Sequence, residues 1–314
     1  METLPRKPHQ TEPRTGRARL NTEYLRYFVA VAEELHFGRA AARLSMAQQP
    51  LSRQIRRLEE EVGVKLFERT TRRVALTPAG GVFLEETRKT LDALDRAVEE
   101  ARRAERGEVG TLRVGYTTTA LYGALPEVVR SFRGRFPGVR LELAEMGSAE
   151  IEEAILAGGL QAAVLYGPVG GTGVESLVLR DEPMVAVLPE GHPLAGRDAV
   201  ALRELAGEPF VFCPRRRGPG LYDQIVGFCR EAGFSPNVAQ EAAQEHTVVG
   251  LVASGVGVAL GFECMGKMGN PGVVFRPLAD AGMSVELCLL WRTDDPSPAL
   301  RAFVALARGA SVTA

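Results

Sequence analysis

The 314-residue sequence has no apolar run approaching the ~20 residues that cross a bilayer, so no membrane span is expected. Its first residues lack the apolar stretch of a secretory signal, which points to a cytoplasmic protein. The four cysteines, Cys213, Cys229, Cys264 and Cys288, lie far apart and form no Cys-x-x-Cys pair. That spacing gives no metal signature and fits reduced thiols in a cytosol. The four histidines show no ligand spacing, so no metal and no cofactor are expected. Gly-x-Ser-x-Gly, His-Glu-x-x-His and Walker-type phosphate loops are absent, which removes the sequence signals for a hydrolase elbow, a zinc protease and a nucleotide loop. Gly255-Val256-Gly257 follows a helical pattern and precedes a strand-like run, the wrong order for a dinucleotide fingerprint. No catalytic residue is named.

What is present begins with a charge asymmetry. The net charge is only -1, yet residues 1–77 hold 15 Lys and Arg against 9 Asp and Glu, and residues 107–314 hold 17 against 23. A positive end attracts phosphates and an acidic bulk does not. Chance produces imbalances of this size, so the patterning has to decide.

Residues 1–20 are rich in Pro, Arg and Thr without apolar periodicity and read as a disordered basic tail. Asn21 is a plausible N-cap. Beyond it Leu25, Phe28, Val29, Ala32 and Leu35 recur as one helical face. A second helix spans about Phe37 to Leu44. Three residues later a third carries Leu51, Ile55, Leu58 and Val62 at spacings of 4, 3 and 4. Its other face shows Gln48, Gln49, Ser52, Arg53, Arg56 and Arg57, beside Pro50. Two short helices, a tight turn and a polar, basic second helix make a candidate helix-turn-helix. Glutamine amides match adenine edges, and arginine pairs with guanine or phosphate. Taken alone, that helix is equally an amphipathic helix with a basic wet face.

The following residues favour the first reading. Val64–Arg69 and Val74–Leu76 are short β-prone runs around a polar turn, a hairpin placed as a wing. Its Arg69, Arg72 and Arg73 would meet the phosphate backbone. Thr77-Pro78 then caps a long helix, about Pro78 to Glu105. Leu84, Thr87, Leu91, Leu94, Val98 and Ala101 follow at spacings of 3, 4, 3, 4 and 3, a seam for a second helix or for the protein's own body. The candidate dimerisation residues are Leu84, Leu91, Leu94 and Val98.

From residue 110 strands and helices alternate. A strand Leu112–Tyr116, a helix of about Leu121 to Phe136, a strand Val139–Leu143, a helix Ala149–Ala157 and a strand Ala162–Tyr166 imply a parallel sheet with right-handed crossovers. A second unit, about Gly170 to Lys267, includes a strand Met184–Leu188 and helices Gly220–Ala232 and His246–Gly255. A strand Val285–Trp291 and a helix Pro298–Arg308 return to the first unit. The expected organisation is a tail (1–20), a winged helix-turn-helix (21–77), a linker helix (78–106), and two subdomains formed by 110–168 with 269–314 and by 169–268.

Open α/β sheets hold ligands beyond the C-terminal ends of their strands. Here those ends carry Thr117-Thr118-Thr119, Gly147-Ser148 and Tyr166-Gly167. Hydroxyls beside helix N-termini suit a carboxylate, although Ser and Thr are also ordinary caps. Arg215 and Arg216, in the Arg215-Arg216-Arg217 run before Gly218-Pro219-Gly220, are either a solvated basic loop or counter-ions for an acidic ligand. His246 opens a helix, as a surface group or a ligand donor. The candidate effector residues are Thr118, Thr119, Ser148, Tyr166, Arg215, Arg216, His246 and Phe262, with Leu121, Tyr166 and Phe262 as apolar walls.

The first 105 residues resemble the LysR-type transcriptional regulators. The resemblance is carried by Leu25 to Phe37, Ala40-Ala41, Leu51 to Glu59, Gly63 to Arg69 and Leu76 to Gly80. It continues more weakly over the rest of the chain after residue 20. Ala47-Gln48-Gln49-Pro50-Leu51-Ser52 and Glu145-Met146-Gly147-Ser148 are similar to segments of the regulators of aromatic-compound catabolism, with Gln49 in place of a proline. In that subgroup the hydroxyl positions that hold an effector carboxylate match Thr119 and Ser148. Gln161-Ala162, Gly261-Phe262 and Tyr166 depart from common family patterns. The resemblance implies an all-α DNA-binding domain followed by two Rossmann-like α/β subdomains similar to periplasmic binding proteins. It also implies a homodimer or homotetramer, double-stranded operator DNA, a small carboxylate effector (an aromatic acid or ring-cleavage product) and RNA polymerase as partners. The alternatives are a redox-sensing regulator using Cys213 and Cys229, and a DNA-tethered α/β enzyme.

Overall fold

The computed structural model describes residues 20–70 and 73–311. The expectation for the tail, Leu20 apart, and the one for Arg72 lie outside the described residues. The chain divides into two compact units between Glu100 and Ala101.

The first unit is helical with a short hairpin. Helix α1 spans Thr22–Glu34, and the Asn21 side chain accepts the Glu23 amide at 2.9 Å, the capping expected of asparagine. Leu35 adopts a left-handed conformation and ends the helix, so it is a cap and half-exposed rather than part of the apolar face. Helix α2 (Phe37–Arg43) is capped by the His36 ring, whose Nδ1 accepts two amides. Helix α3 (Gln48–Val62) ends at Gly63, whose φ of 83° favours glycine. Strands β1 (Phe67–Arg69) and β2 (Val74–Leu76) pair antiparallel as the expected wing. Helix α4 (Pro78–Glu105) starts where the Thr77 hydroxyl accepts the Gly80 amide at 2.8 Å. A Cβ on Gly80 would lie 2.0 Å from the Leu66 carbonyl oxygen, so only glycine lets this turn close on the hairpin. Phe28, Leu51, Ile55, Leu58 and Phe67 form the core, and the Phe28 ring meets Phe67 and Phe83 at 5.3 and 5.0 Å.

The second unit is built on strand β3 (Gly110–Tyr116), helix α5 (Leu125–Arg135), strand β4 (Val139–Glu145), helix α6 (Ser148–Leu156) and strand β5 (Ala162–Tyr166). Strands β6 (Val174–Pro189), β7 (Pro209–Phe212), β8 (Asn237–Glu241), β9 (Ala259–Phe262), β10 (Val273–Pro277) and β11 (Ser284–Arg292) follow, with helices α7 (Pro219–Glu231), α8 (Glu245–Ala253) and α9 (Pro298–Ser311). The main sheet runs β10-β6-β11-β5-β3-β4, with β9 also on β6. Strand β3 is parallel to β4 and β5, as the βαβαβ pattern requires, whereas β11 is antiparallel to β5 and β6. On β5, Ala162, Val164 and Tyr166 face one apolar cluster, and Ala163 and Leu165 face another. Burial on both faces explains the unbroken apolar run.

The expected helix from Leu121 begins instead at Leu125, after a 3-10 turn at Thr118–Leu121. Pro126 has no amide hydrogen and is accommodated only in a first turn, so the helix cannot start four residues earlier. Strand β6 is three times the expected length. Its polar first half pairs with β11, and its apolar second half pairs with β9 and β10. Strand pairing therefore crosses the boundaries drawn at 168/169 and 268/269.

Candidate functional site

Helix α3 buries Leu51, Ile55 and Leu58 completely. This turns Gln48, Gln49, Arg53 and Arg56 outward, with Pro50 and Ser52 at the margin. Arg53 and Arg56 make no ion pair among the described residues, so both guanidiniums are available to an external acceptor. Arg57 is engaged, 3.2 Å from Glu61 and above the Tyr24 ring. Arg69 corrects the sequence expectation. It is half-buried, its Nη2 is 3.1 Å from the buried Glu59 carboxylate, and its guanidinium stacks 4.8 Å from the Phe37 ring centroid. An arginine so placed braces the wing against helix α3. Arg73 is exposed on the hairpin.

Along α4 the seam splits. Leu84 and Leu91 are half-buried against the unit's own core, and Thr87 is buried. The helix is held there by Arg88–Glu33 at 2.8 Å and Arg26–Asp95 at 3.0 Å. Leu84 and Leu91, expected on the seam, thus pack in part on their own unit. Leu94 and Val98, 41% and 44% exposed, remain uncovered in the chain.

In the second unit a cavity of about 110 Å³ opens at the C-terminal ends of β3, β5 and β7. Its walls include Thr117, Thr118, Thr119, Gly147, Ser148, Tyr166 and Phe262, with Leu221, Tyr222, Ile225, Val248 and Met265 as apolar surface. Tyr166 stacks on Phe262 with ring centroids 4.2 Å apart, and its hydroxyl lies 3.4 Å from the Cys264 sulfur. Burial keeps this phenol protonated by raising its pKa. The Thr117 hydroxyl is buried without a partner among the described residues, a deficit that a ligand polar atom would relieve. Sequence reasoning placed Thr117 at the strand end but not in the site. The Ser148 hydroxyl donates to the Arg217 carbonyl at 3.2 Å. A Cβ on Gly218 would lie 2.9 Å from that hydroxyl, so the loop passes close to the start of α6 and a side chain at 218 would turn the Ser148 hydroxyl aside.

Four expectations for this cavity are corrected. Arg215 points to solvent in a two-pronged pair with Asp223, at 2.8 and 2.6 Å. Arg216 is exposed, 3.9 Å from Glu241. His246 and Leu121 are exposed and do not line the cavity. Their neighbours do: Arg217, which makes no ion pair among the described residues, and Glu245, the first residue of α8. The 3-10 turn Arg215–Arg217 rotates three successive side chains to different sides, and a run of identical residues gives no sign of which one turns inward. Glu245 is half-buried, and loss of solvent raises its carboxyl above the ordinary range, against the lowering influence of a Thr118 hydrogen bond and the Arg217 charge.

All four cysteines are free. Burial pushes the Cys213 and Cys264 thiols up to about 12 and those of Cys229 and Cys288 up to about 11. Thiolate is the form that oxidants attack, so these sites do not favour the redox alternative. No helix among the described residues is long and apolar enough to cross a membrane.

Residues 22–81 match the family described as the bacterial regulatory helix-turn-helix protein, lysR family, and residues 105–311 match the LysR substrate binding domain. The chain belongs to the LysR family of transcriptional regulators. It is 39% identical to the HTH-type transcriptional regulator AlsR of Bacillus subtilis over 285 residues, which is 91% of this chain and 94% of AlsR. It is 40% identical to the uncharacterized HTH-type regulator YnfL of Escherichia coli over 286 residues, 90% of this chain and 96% of YnfL. Full-length CbnR, solved in complex with its target DNA, superimposes with a TM-score of 0.82 and 27% identity over 93% of this chain and all of CbnR. The chain is therefore a DNA-binding transcriptional regulator with an effector-binding domain, and not an enzyme.

Proposed function

We propose that this LysR-family regulator is switched by a small carboxylate held in the cavity of its second unit, an aromatic acid or a ring-cleavage product. The observation that carries this reading is the convergence of the Arg217 guanidinium, which makes no ion pair among the described residues, with Thr117, Thr119 and the N-terminus of helix α6 on one cavity wall. The first-turn amides of a helix lack intrahelical partners, and the helix dipole favours an anion there. The flanking rings and aliphatic side chains offer the apolar surface that a ring needs.

Operator reading is assigned to the exposed Gln48, Gln49, Arg53 and Arg56 with Pro50 and Ser52, and phosphate contact to Arg73. Self-association is assigned to Leu94 and Val98 on α4, as a homodimer or homotetramer acting on RNA polymerase in the cytoplasm. Calorimetry on the full chain with benzoate and muconate tests the effector class. Heat of binding is expected for at least one acid and a weaker affinity for Thr119→Val, whose hydroxyl lies in the wall. Tight binding of a neutral ligand with failure of every carboxylate overturns the reading.

A further inference from the structure

Building on the proposed carboxylate site, we infer that the effector is an acid with a second, hydrogen-bond-donating group, a hydroxyl or a protonated amine, that is received by Glu245 while the carboxylate meets Arg217 and the first-turn amides of helix α6. The cavity wall is not uniformly suited to an anion. Arg217 is its one cationic side chain among the described residues, and Glu245 is on the same wall. Glu145 lies beside it and accepts the Thr118 hydroxyl at 2.5 Å.

A threonine hydroxyl has a single proton to donate. Thr118 stands between Glu145 and Glu245 and commits that proton to Glu145, with the Gln244 amide oxygen a further 3.3 Å neighbour. The Tyr166 hydroxyl is turned to Cys264, and the buried Cys213 thiol is a weak donor. Glu245 is a partly desolvated carboxyl on the cavity wall, and its two oxygens have capacity to accept from a ligand beyond the backbone and Thr118 contacts they already have. A simple acid would bring a second anion to this wall and satisfy nothing at Glu245. An acid carrying a donor satisfies both ends, and a site with a buried acceptor discriminates strongly against the analogue that lacks the donor.

The test is calorimetry on the full chain with matched pairs of probes: benzoate against 3-hydroxybenzoate and 3-aminobenzoate, and 3-methylbutanoate against 2-hydroxy-3-methylbutanoate and valine. At least one donor-bearing acid is expected to bind about tenfold or more tightly than its parent. Glu245→Gln should shrink that preference and Glu245→Asp should retain part of it, while Arg217→Gln should weaken parent and donor-bearing acid alike. Equal affinities within every pair, or a preference undiminished in a folded Glu245→Gln, overturn this inference and leave the carboxylate reading standing. If no acid of either kind binds, both are overturned.

Discussion

The carboxylate of Glu59, near the end of α3, and the guanidinium of Arg69, on the wing, meet at 3.1 Å with Glu59 almost wholly buried. The other Glu59 oxygen accepts the amides of Leu66 and Phe67 at 2.9 and 3.1 Å. One acidic side chain therefore fixes the angle between the recognition helix and the hairpin. Removing one partner of a buried pair leaves the other uncompensated, at a cost of about 3–5 kcal/mol. Glu59→Ala is expected to destabilise the first unit by that order in chemical denaturation, and Arg69→Ala by less because it is partly exposed. A Glu59→Ala protein as stable as the wild type would show that the wing is held by other contacts.

Arg53 projects from α3 without a partner among the described residues, whereas Arg215 is paired with Asp223 and is not among the cavity-lining residues. Arg53→Ala should weaken operator binding by about 1–3 kcal/mol if it reads a base. Arg215→Ala should leave effector affinity unchanged. Anisotropy titrations of labelled operator and calorimetry check the two arms, and unchanged operator affinity in Arg53→Ala removes that residue from the interface.

The exposed Leu94 and Val98 and the half-buried Leu84 and Leu91 separate two effects. Leu94→Asp with Val98→Asp should dissociate the native assembly in sedimentation while α4 stays helical. Leu84→Asp should also disturb the first unit, because that side chain packs on its core. Native sedimentation of the Leu94/Val98 variant would rule out this stretch as the seam.

Hydrogen bonds from Arg88 and Arg43 hold the Glu33 carboxyl below its ordinary value of 4.5, more than burial raises it. A depressed folded pKa means the unfolded chain binds the proton first as pH falls. The stabilisation is therefore present above pH 4.5 and is lost as pH drops through the lower folded value. Amide exchange in α1 and α4 should show protection falling along this acid limb in the wild type, with a shallower fall in Glu33→Gln. Parallel profiles would mean that the Arg88–Glu33 tie does not stabilise these helices.

Much of this architecture was legible because it rests on local signals. Thr77-Pro78 marks the start of α4, and the run from Ala162 to Tyr166 marks β5 at its observed bounds. The α3 stripe of Leu51, Ile55 and Leu58 implies which face is left for DNA. What could not be read depends on three-dimensional placement. The first half of β6 is polar because its neighbours leave it partly exposed, so no period-two pattern betrays it. Arg217 and Glu245 enter the cavity through the phase of one 3-10 turn and the first turn of α8, and a shift of one residue separates them from Arg216 and His246. Arg69 looked like a phosphate contact because Glu59, ten residues away, gives no sequence sign of its burial.

Under the proposed function, occupation of the second unit's cavity by a small acid changes how the first unit engages DNA. Coupled sites must change one another's affinity by the same factor. The most direct measurement is operator affinity and footprint of the full chain with and without an acid that calorimetry shows to be bound. An affinity change of about fivefold or more, or a shifted footprint, is expected in the wild type, and neither in Arg217→Gln at the same acid concentration. Identical affinity and an identical footprint with the cavity filled would contradict the proposed coupling.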